Sequence, residues 1–451
     1  MQLFLRKAHL FQKTSIRMSM LTLVLVLLNT TLSLGQNGDP LEVATLDKVV
    51  EYALAHQPNV QQALIDEEIT DKAIKGKLAD WYPQVNFTYN YQRFIDLQAS
   101  VIGGNVIRFG VNNTSSAQFS ASQAVFNRDV LLASSTASQV RSQAGLNTSR
   151  SKIDVVVNVT KAFYDALAMM QQIEVSEESI VRLERSLKDA QSRYNSGVSD
   201  KTDYKRATIL LTNAKASLKT NQELLKYKQE YLKTLMGYPL DQNLPVQYDP
   251  LLMEEEIMLD TTQQVNYADH IDFQIMQSQK SLQEANVNYS RWAFLPSVSL
   301  FGNYNLNYQN NNFSDLYNTT YPFSFVGVTL GLPLLQGGKR LAKIQEANLS
   351  NGRLDLGLKN LKSAINTEYT RALASYKSNL GLYQAQKDNV ELAEEVYDII
   401  QLQYQSGVKT YLEVTIAESD LRTTRINYYN ALYMVLASKM DVLKALGQIN
   451  Y

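Results

Sequence analysis

The sequence contains no cysteine, which excludes disulfide bonds, thiolate metal ligands and a lipid anchor on an N-terminal cysteine. Histidine is almost as scarce. His9 lies in the N-terminal segment, and neither His56 nor His270 stands in a metal-binding or nucleophile motif. The acidic run 254–256 is interpreted as a solvated loop rather than as paired catalytic carboxylates. We therefore expect a protein that is not an enzyme and that holds no metal ion and no cofactor.

Proline is also scarce, and its distribution matters more than its number. None of the nine prolines lies between Pro83 and Pro239 or after Pro333, so two very long stretches contain nothing that would break a helix. No basic stripe is visible, and the formal net charge is only -1. Because binding of a phosphate backbone calls for a clustered basic field, the sequence gives no sign of a nucleic-acid partner.

The N-terminal segment has the composition of an export signal. The apolar run 20–28 is preceded by four basic residues, which are Arg6, Lys7, Lys13 and Arg17. Small residues follow at Ser33 and Gly35, so we predict a signal peptide over residues 1–35 with cleavage near Gly35. The apolar run is too short to span a membrane as a helix, which takes about 20 residues. The mature protein would therefore enter a membrane only through strands.

An internal repeat with a period of 210 residues organises the rest of the chain. Its clearest pattern is a group of four residues that occurs twice, as Tyr194, Ser196, Gly197 and Val198 and again as Tyr404, Ser406, Gly407 and Val408. Gly237 likewise returns as Gly447. We predict two homologous repeats, at residues 36–237 and 262–451, joined by an irregular, proline-rich connector at 238–261.

Each repeat begins with a helix and continues into a β-hairpin, at about 84–126 and about 297–334. Residues 85–91 and 298–308 alternate between aromatic or aliphatic side chains and Asn or Thr side chains. This alternation fits a membrane barrel with lipid outside and water inside, and it also fits a half-exposed strand of a soluble sheet. Residues 102–116 are predicted to be a polar loop. Four strands cannot close a barrel, which takes about eight, so the remaining strands would come from an oligomer.

A helical period follows each hairpin. Apolar residues recur every seven positions at Val159, Ala166, Ile173, Ile180, Leu187 and Tyr194. A helix from about 128 to 194 would be roughly 100 Å long, which indicates a coiled coil or a strut more than a buried helix of a compact bundle. We predict that each long helix reverses at a tip near Gly197 or Gly407, because glycine adopts a positive φ without steric cost.

The duplicated tip, the strand entries at Pro83 and Pro296, the segment 332–340 and the glycine that closes each repeat resemble the TolC family of outer-membrane efflux proteins. The resemblance implies a homotrimer in which twelve strands form one transmembrane β-barrel and twelve helices form a periplasmic coiled-coil tunnel. It implies a passive exit duct in the cell outer membrane, serving a tripartite efflux or type I secretion system with a periplasmic adaptor (membrane fusion) protein and an inner-membrane transporter. The alternative is a trimeric coiled-coil stalk at the cell surface, such as an adhesin.

The resemblance also implies site residues. Asp203, Tyr404 and Lys409 would form the periplasmic gate, and Glu413 would form an acidic tunnel constriction. Three of these residues have a simpler explanation, since Asp203 lies near a helix start, Tyr404 can fill an apolar layer and Glu413 can be a solvated surface residue. The tips are the expected adaptor docking site, with Tyr194, Ser196, Gly197, Val198, Ser406, Gly407 and Val408. Trp81 and Trp292 would form a membrane-interface belt or pack at the junction of strands and helices.

Overall fold

The computed structural model describes residues 41–247 and 250–451, so the predicted signal peptide lies outside the described residues. The helices are α1 (Leu46–His56), α2 (Pro58–Ala79), α3 (Arg128–Asn195), α4 (Lys201–Met236), α5 (Pro250–Glu255), α6 (Ile271–Arg291), α7 (Lys339–Gln405) and α8 (Tyr411–Leu446). The strands are β1 (Gln84–Arg93), β2 (Ala99–Ile102), β3 (Asn105–Arg108), β4 (Asn113–Phe126), β5 (Ser297–Asn310) and β6 (Thr320–Gly331). Short 3-10 turns occur at Tyr267–Asp269, Trp292–Phe294 and Phe313–Asp315.

Two very long helices dominate the chain, as the distribution of proline predicts. α3 has 68 residues and α7 has 67, which makes each about 100 Å long at 1.5 Å per residue. α3 begins where the side chain of Asn127 accepts a hydrogen bond from the backbone N–H of Asp129 at 2.7 Å. Among the residues described, no helix combines the length and the apolar character needed to cross a membrane.

The main sheet is antiparallel, with the strand order β1-β4-β5-β6. The pairing of β4 with β5 joins the two repeats, while β1 and β6 each have one unpaired edge. Residues that stand opposite one another share a face, so the register assembles two faces. The apolar face holds Val85, Phe87, Tyr89, Phe119, Tyr304 and Leu306, and the polar face holds Asn86, Thr88, Gln118, Ser120, Asn303 and Asn305. The expected alternation is confirmed in β1, and in β5 except at Phe301, which lies on the polar face opposite Gly327.

Strand β6 departs from this division. Phe325 stands opposite Asn303, and Phe323 stands opposite Asn305, so both aromatic rings lie on the polar face. The rings of Phe323 and Phe325 stack with their centroids 6.2 Å apart. The polar face is therefore aromatic along one edge.

A second, two-stranded sheet occupies much of the segment that was expected to be a polar loop. β2 and β3 pair antiparallel around Gly103 and Gly104, which have φ values of 59° and 84°. The prediction of a loop over 102–116 was wrong, because a Gly-Gly pair between short apolar runs supplies the two positive φ values that a tight hairpin turn requires. β4 also begins inside that segment, at Asn113.

The largest apolar core joins the helices of both repeats. It includes Val49 of α1, Phe163 of α3, Leu232 of α4 and Leu432 of α8, all completely buried. The connector packs against the same core. Its Glu254 accepts hydrogen bonds from Lys387 Nζ at 2.6 Å and from the Tyr428 hydroxyl. The interpretation of 254–256 as a solvated loop was therefore wrong for Glu254.

Candidate functional site

The two tips have the same backbone geometry. Gly197 and Gly407 adopt φ values of 71° and 78°, in the region that only glycine enters freely. After each glycine the chain donates back to the preceding helix at 2.9 Å, from Val198 N to Arg193 O and from Val408 N to Gln403 O. These hydrogen bonds use only backbone groups. They therefore give carbonyl groups in the last turn of each long helix a donor and leave the valine side chains free. The side chains of both valines project into solvent.

An apolar layer lies directly inside the tips. It consists of five buried residues, one or more from each of the four long helices: Ala190, Ala207, Tyr404, Tyr411 and Val414. The Tyr404 and Tyr411 rings meet edge to face at 5.9 Å between centroids, a geometry that aromatic pairs favour. This layer holds the two helical hairpins of the chain together at their tips.

Tyr404 is a member of the predicted gate, and it is buried within this layer. The guanidinium carbon of Arg193 lies 4.6 Å from the centroid of its ring. Burial raises the pKa of Tyr404, and the nearby carboxylate of Asp203 adds to the increase while Arg193 opposes it. The Tyr404 hydroxyl oxygen is buried and has no hydrogen-bond partner among residues 41–247 and 250–451. A buried hydroxyl without a partner is energetically costly.

Asp203 is the third residue of α4, whose N-cap is Asp200. Within the described part of the chain, its carboxylate makes no side-chain hydrogen bond and no ion pair. Its position in the first turn places a negative charge at the positive end of the helix dipole, as the simpler explanation requires. The carboxylate nevertheless stays available for a partner.

Lys409 and Glu413 were predicted as parts of two separate sites, but they contact each other. Lys409 Nζ donates to Glu413 Oε1 at 2.6 Å. Glu413 Oε2 accepts from the backbone N–H of Thr410 at 2.9 Å and from its hydroxyl at 3.0 Å. Thr410 and Glu413 together form a capping box at the start of α8. Glu413 is therefore not a free surface carboxylate.

The hydrogen bond from Lys409, followed by those from Thr410, lowers the pKa of Glu413 from 4.5 to about 2. A lowered pKa in the folded state contributes stability above pH 4.5 that is lost as the pH falls through 2. We expect Glu413→Gln to lower the melting temperature at pH 6. That difference from the wild type should shrink between pH 4.5 and pH 2, as thermal melts followed by circular dichroism would reveal. A difference that does not change with pH would contradict this assignment.

Sequence reasoning missed Arg193 and Tyr411. Arg193 directly precedes Tyr194 in the first tip, but its counterpart 210 residues later is Gln403. The repeat therefore gives no signal for Arg193. Tyr411 is matched to Lys201 by the same spacing, so the repeat gave no signal for it either.

A buried polar network lies farther along the helices from the tips. Ser179 Oγ of α3 donates to Glu418 Oε1 of α8 at 2.5 Å, and Arg182 Nη2 lies 3.7 Å from the same carboxylate oxygen. The Glu418 side chain is only 7% exposed. Arg425 and Glu178 form a further ion pair between α8 and α3. These contacts fix the position of one helical hairpin against the other.

Comparisons with known proteins match both repeats. Residues 49–238 and 268–448 match the family model described as outer membrane efflux protein. The outer membrane protein TolC of Vibrio cholerae is 20% identical over 426 residues, covering 93% of this chain and 94% of that protein. The cation efflux system protein CusC of Escherichia coli is 21% identical over 410 residues, covering 86% and 81%. The crystal structure of the outer membrane protein VceC of Vibrio cholerae has a TM-score of 0.68 at 15% identity, covering 89% of this chain and 96% of that chain.

These matches test what the sequence predicted about the fold, the function class and the localisation of the protein. The fold is confirmed, with four strands in the main sheet and two long helical hairpins per chain in two repeats. The similar proteins are outer membrane proteins and a component of an efflux system, which favours the exit duct over the surface stalk and gives no support to an enzyme. Localisation in the outer membrane is confirmed in the same way. The chain belongs to the outer membrane efflux protein family.

Proposed function

We propose that this protein is the outer-membrane exit duct of a tripartite efflux or type I secretion system. The observation that carries the proposal is the pair of matched helical tips, joined in one apolar layer, at the far end of helices about 100 Å long from a two-faced sheet. A sheet with one apolar and one polar face can separate lipid from a water-filled lumen. The duct conducts passively, and an inner-membrane transporter supplies the energy.

The working form is a homotrimer. One chain contributes four strands to the main sheet, whereas a closed barrel needs about eight. The free edges of β1 and β6 can pair with those of neighbouring copies, which removes the exposed edges. Exposed apolar side chains on α2 and α7 offer surfaces for the same contacts, and they are Ile65, Ile69, Leu341, Leu349 and Leu356. Three copies supply twelve strands.

The gate is a set of contacts between neighbouring copies at the tips. The unpartnered Tyr404 hydroxyl and the unpaired Asp203 carboxylate are a donor and an acceptor that lack partners within the described chain. A link between Asp203 of one copy and Tyr404 of the next would satisfy both groups and hold the tunnel closed. Lys409 belongs to the same set of gate groups at the tips, where it forms an ion pair with Glu413.

The constriction carries this Lys409–Glu413 pair rather than an isolated carboxylate. Three copies around one axis present three neutral pairs, so the acidic ring is weaker than the sequence suggested. Ile416, nine residues after Gly407, carries no charge and therefore adds no second acidic ring. The presence of Glu413 is therefore not a reason to expect the duct to select metal ions.

The tips dock a periplasmic adaptor protein. Val198 and Val408 are 71% and 72% exposed, and each directly follows the glycine at which the chain reverses. Together with Tyr194, Ser196, Ser406 and the two glycines, they form two equivalent apolar projections for helices of the adaptor. Binding there would pull the tips apart and break the gate links.

We expect Asp203→Ala and Tyr404→Phe to raise the single-channel conductance several-fold, because each removes one half of the proposed link. The measurement uses the purified protein in planar bilayers. In the same recordings, Glu413→Ala should shift the reversal potential toward anion selectivity, since it leaves Lys409 unpaired. Thr208→Ala on the exposed surface of α4 serves as the control. A folded trimer that conducts in none of these variants would overturn the exit-duct function.

A further inference from the structure

A basic cavity lies where the helices meet the main sheet. Its volume is about 410 Å³, and it lies between the C-terminal part of α6 and the N-terminal part of α7, with one residue of α3 at its border. Four basic side chains line it: Arg128, Lys339, Arg340 and Lys343. Glu346 is the only acidic residue among those lining residues. The cavity therefore has an excess of three positive charges per chain.

Two of these cations are fixed in place by aromatic rings. The guanidinium of Arg128 lies 4.6 Å from the centroid of the Tyr289 ring, and that of Arg340 lies 4.4 Å from the centroid of the Phe294 ring. Arg340 also donates to the carbonyl oxygen of Leu334 at 3.0 Å. The two ring contacts and this hydrogen bond leave the charges of both guanidinium groups in place, and they restrict where those groups can move.

The positive charges of the two lysines have no direct partner in the described chain. Among residues 41–247 and 250–451, neither Lys339 nor Lys343 makes a side-chain hydrogen bond or an ion pair. The neighbouring carboxylate of Asp129 accepts a hydrogen bond from the Tyr289 hydroxyl at 2.6 Å and lines an adjacent cavity instead. By contrast, Lys280 of α6 is paired with Asp355 of α7 at 2.6 Å, and Lys387 of α7 is paired with Glu254 at 2.6 Å.

A second cavity, next to this one, reaches the polar face of the sheet. Its volume is about 290 Å³, and it shares Arg128, Ala293 and Gln336 with the basic cavity. That second cavity is also lined by Ser297 and Gly331, which stand opposite each other and share a face with Asn303 because strand residues two apart point the same way. In the proposed duct, this is the side of the water-filled lumen.

We propose that this cavity is a binding site for organic anions that pass through the duct, recognising a carboxylate, sulfonate or phosphate group through Lys339, Lys343 and the ring-held arginines. The volume lies within the range of small-molecule sites, about 300–1,000 Å³, so it accommodates more than a simple inorganic ion. Tyr289 and Ala293 supply an apolar border for the rest of the molecule. The inference rests on the proposed exit-duct function and adds a substrate class to it.

The test uses the purified full-length trimer in detergent and the fluorescent anion pyrene-1,3,6,8-tetrasulfonate, with binding followed by fluorescence anisotropy. We expect saturable binding that weakens as salt increases, because the contacts are between charges that solvent reaches. Lys339→Gln with Lys343→Gln should weaken binding about tenfold. Lys339→Arg with Lys343→Arg should retain it, because that pair keeps the charge.

The matched control is Lys359→Gln with Lys377→Gln, which removes two exposed positive charges from the same helix far from the cavity. Equal loss in this control would mean that the dye senses only the overall charge, and unchanged binding in the Lys339 and Lys343 double variant would place the dye elsewhere. Equal binding of a cationic dye such as ethidium would mean apolar adsorption. Each of these three results would overturn the anion site.

Conductance of the same variants separates this proposal from the exit-duct function. If the wild type conducts but the dye does not bind, the duct stands and the anion site falls. If the dye binds with the expected pattern but no variant conducts, the anion site stands on a protein that is not a duct. In conducting channels, loss of the two lysines should shift the reversal potential toward cation selectivity.

Discussion

Replacing Glu418 by alanine is expected to lower the free energy of unfolding by about 3 kcal/mol, because it removes one partner of a buried charged contact. The Glu418 side chain is 7% exposed and that of Arg182 is 19% exposed. Without Glu418, the Ser179 hydroxyl loses its acceptor, and Arg182 keeps the partly exposed carboxylate of Glu178 at 3.6 Å and the ring of Tyr397, whose centroid lies 5.9 Å from its guanidinium carbon. Denaturant unfolding of the trimer, followed by circular dichroism, measures the loss.

The control for this prediction is Glu184→Ala. Glu184 is on α3, like Arg182, and forms an ion pair with Lys215 at 2.7 Å, but its side chain is 51% exposed. Exposed pairs contribute about 0–1 kcal/mol, so this variant should be close to wild type. Replacing both Arg182 and Glu418 by leucine should cost less than Glu418→Ala alone, since no charge is then left unpaired. Equal losses in Glu418→Ala and Glu184→Ala would show that the network does not stabilise the helical hairpins.

Replacing Gly447 by alanine is expected to cost about 3 kcal/mol, from two separate causes. Gly447 has a φ of 74°, and a Cβ atom there would lie 2.7 Å from the carbonyl oxygen of Asp269. Both the backbone conformation and the contact therefore oppose a side chain. Gly237 repeats the arrangement, with its Cβ position 2.7 Å from the carbonyl oxygen of His56, and should respond alike. Thermal melts of the trimer would reveal both losses.

Substitutions at two other glycines separate the effect of the backbone conformation from that of the close contact. Gly407 has a φ of 78° but no atom within 4 Å of its Cβ position, so Gly407→Ala should cost only the conformational strain, about 1 kcal/mol. Gly352 lies inside α7 with open space around it, so Gly352→Ala should raise stability by about 0.5–1 kcal/mol. If Gly447→Ala were no worse than Gly407→Ala, the close contact with Asp269 would have no energetic role.

Much of the fold could be predicted because it follows local rules. The long proline-free stretches predicted α3 and α7, and strict alternation predicted β1 and β5. The Gly-Gly turn between β2 and β3 is equally local, because it depends on the positive φ values of two adjacent residues, Gly103 and Gly104. The aromatic edge made by Phe323 and Phe325 could not be predicted, since it depends on which residues of β5 and β6 stand opposite each other.

The candidate site was predicted only in part. The repeat identified the reversals at Gly197 and Gly407, whose positive φ values the structure confirms. The contact between Lys409 and Glu413 has the four-residue spacing of neighbours on a helix, so it could have been read from the sequence. The roles of Asp203, Tyr404, Lys409 and Glu413 in gating and constriction stay predictions, because they depend on contacts between copies of the chain.

The sequence by itself determined the elements of this protein: two repeats, their long helices, their alternating strands and the glycines at which the chain reverses. Each of these depends on interactions among residues close together in the chain. Only the tertiary structure decided which side chains meet across the helices and at the junction with the sheet. Ser179 and Glu418 are 239 residues apart, and Arg128 and Lys339 reach one cavity from opposite repeats. Local periodicity carries no information about such distant pairs, since it fixes the face of each element but not its neighbour.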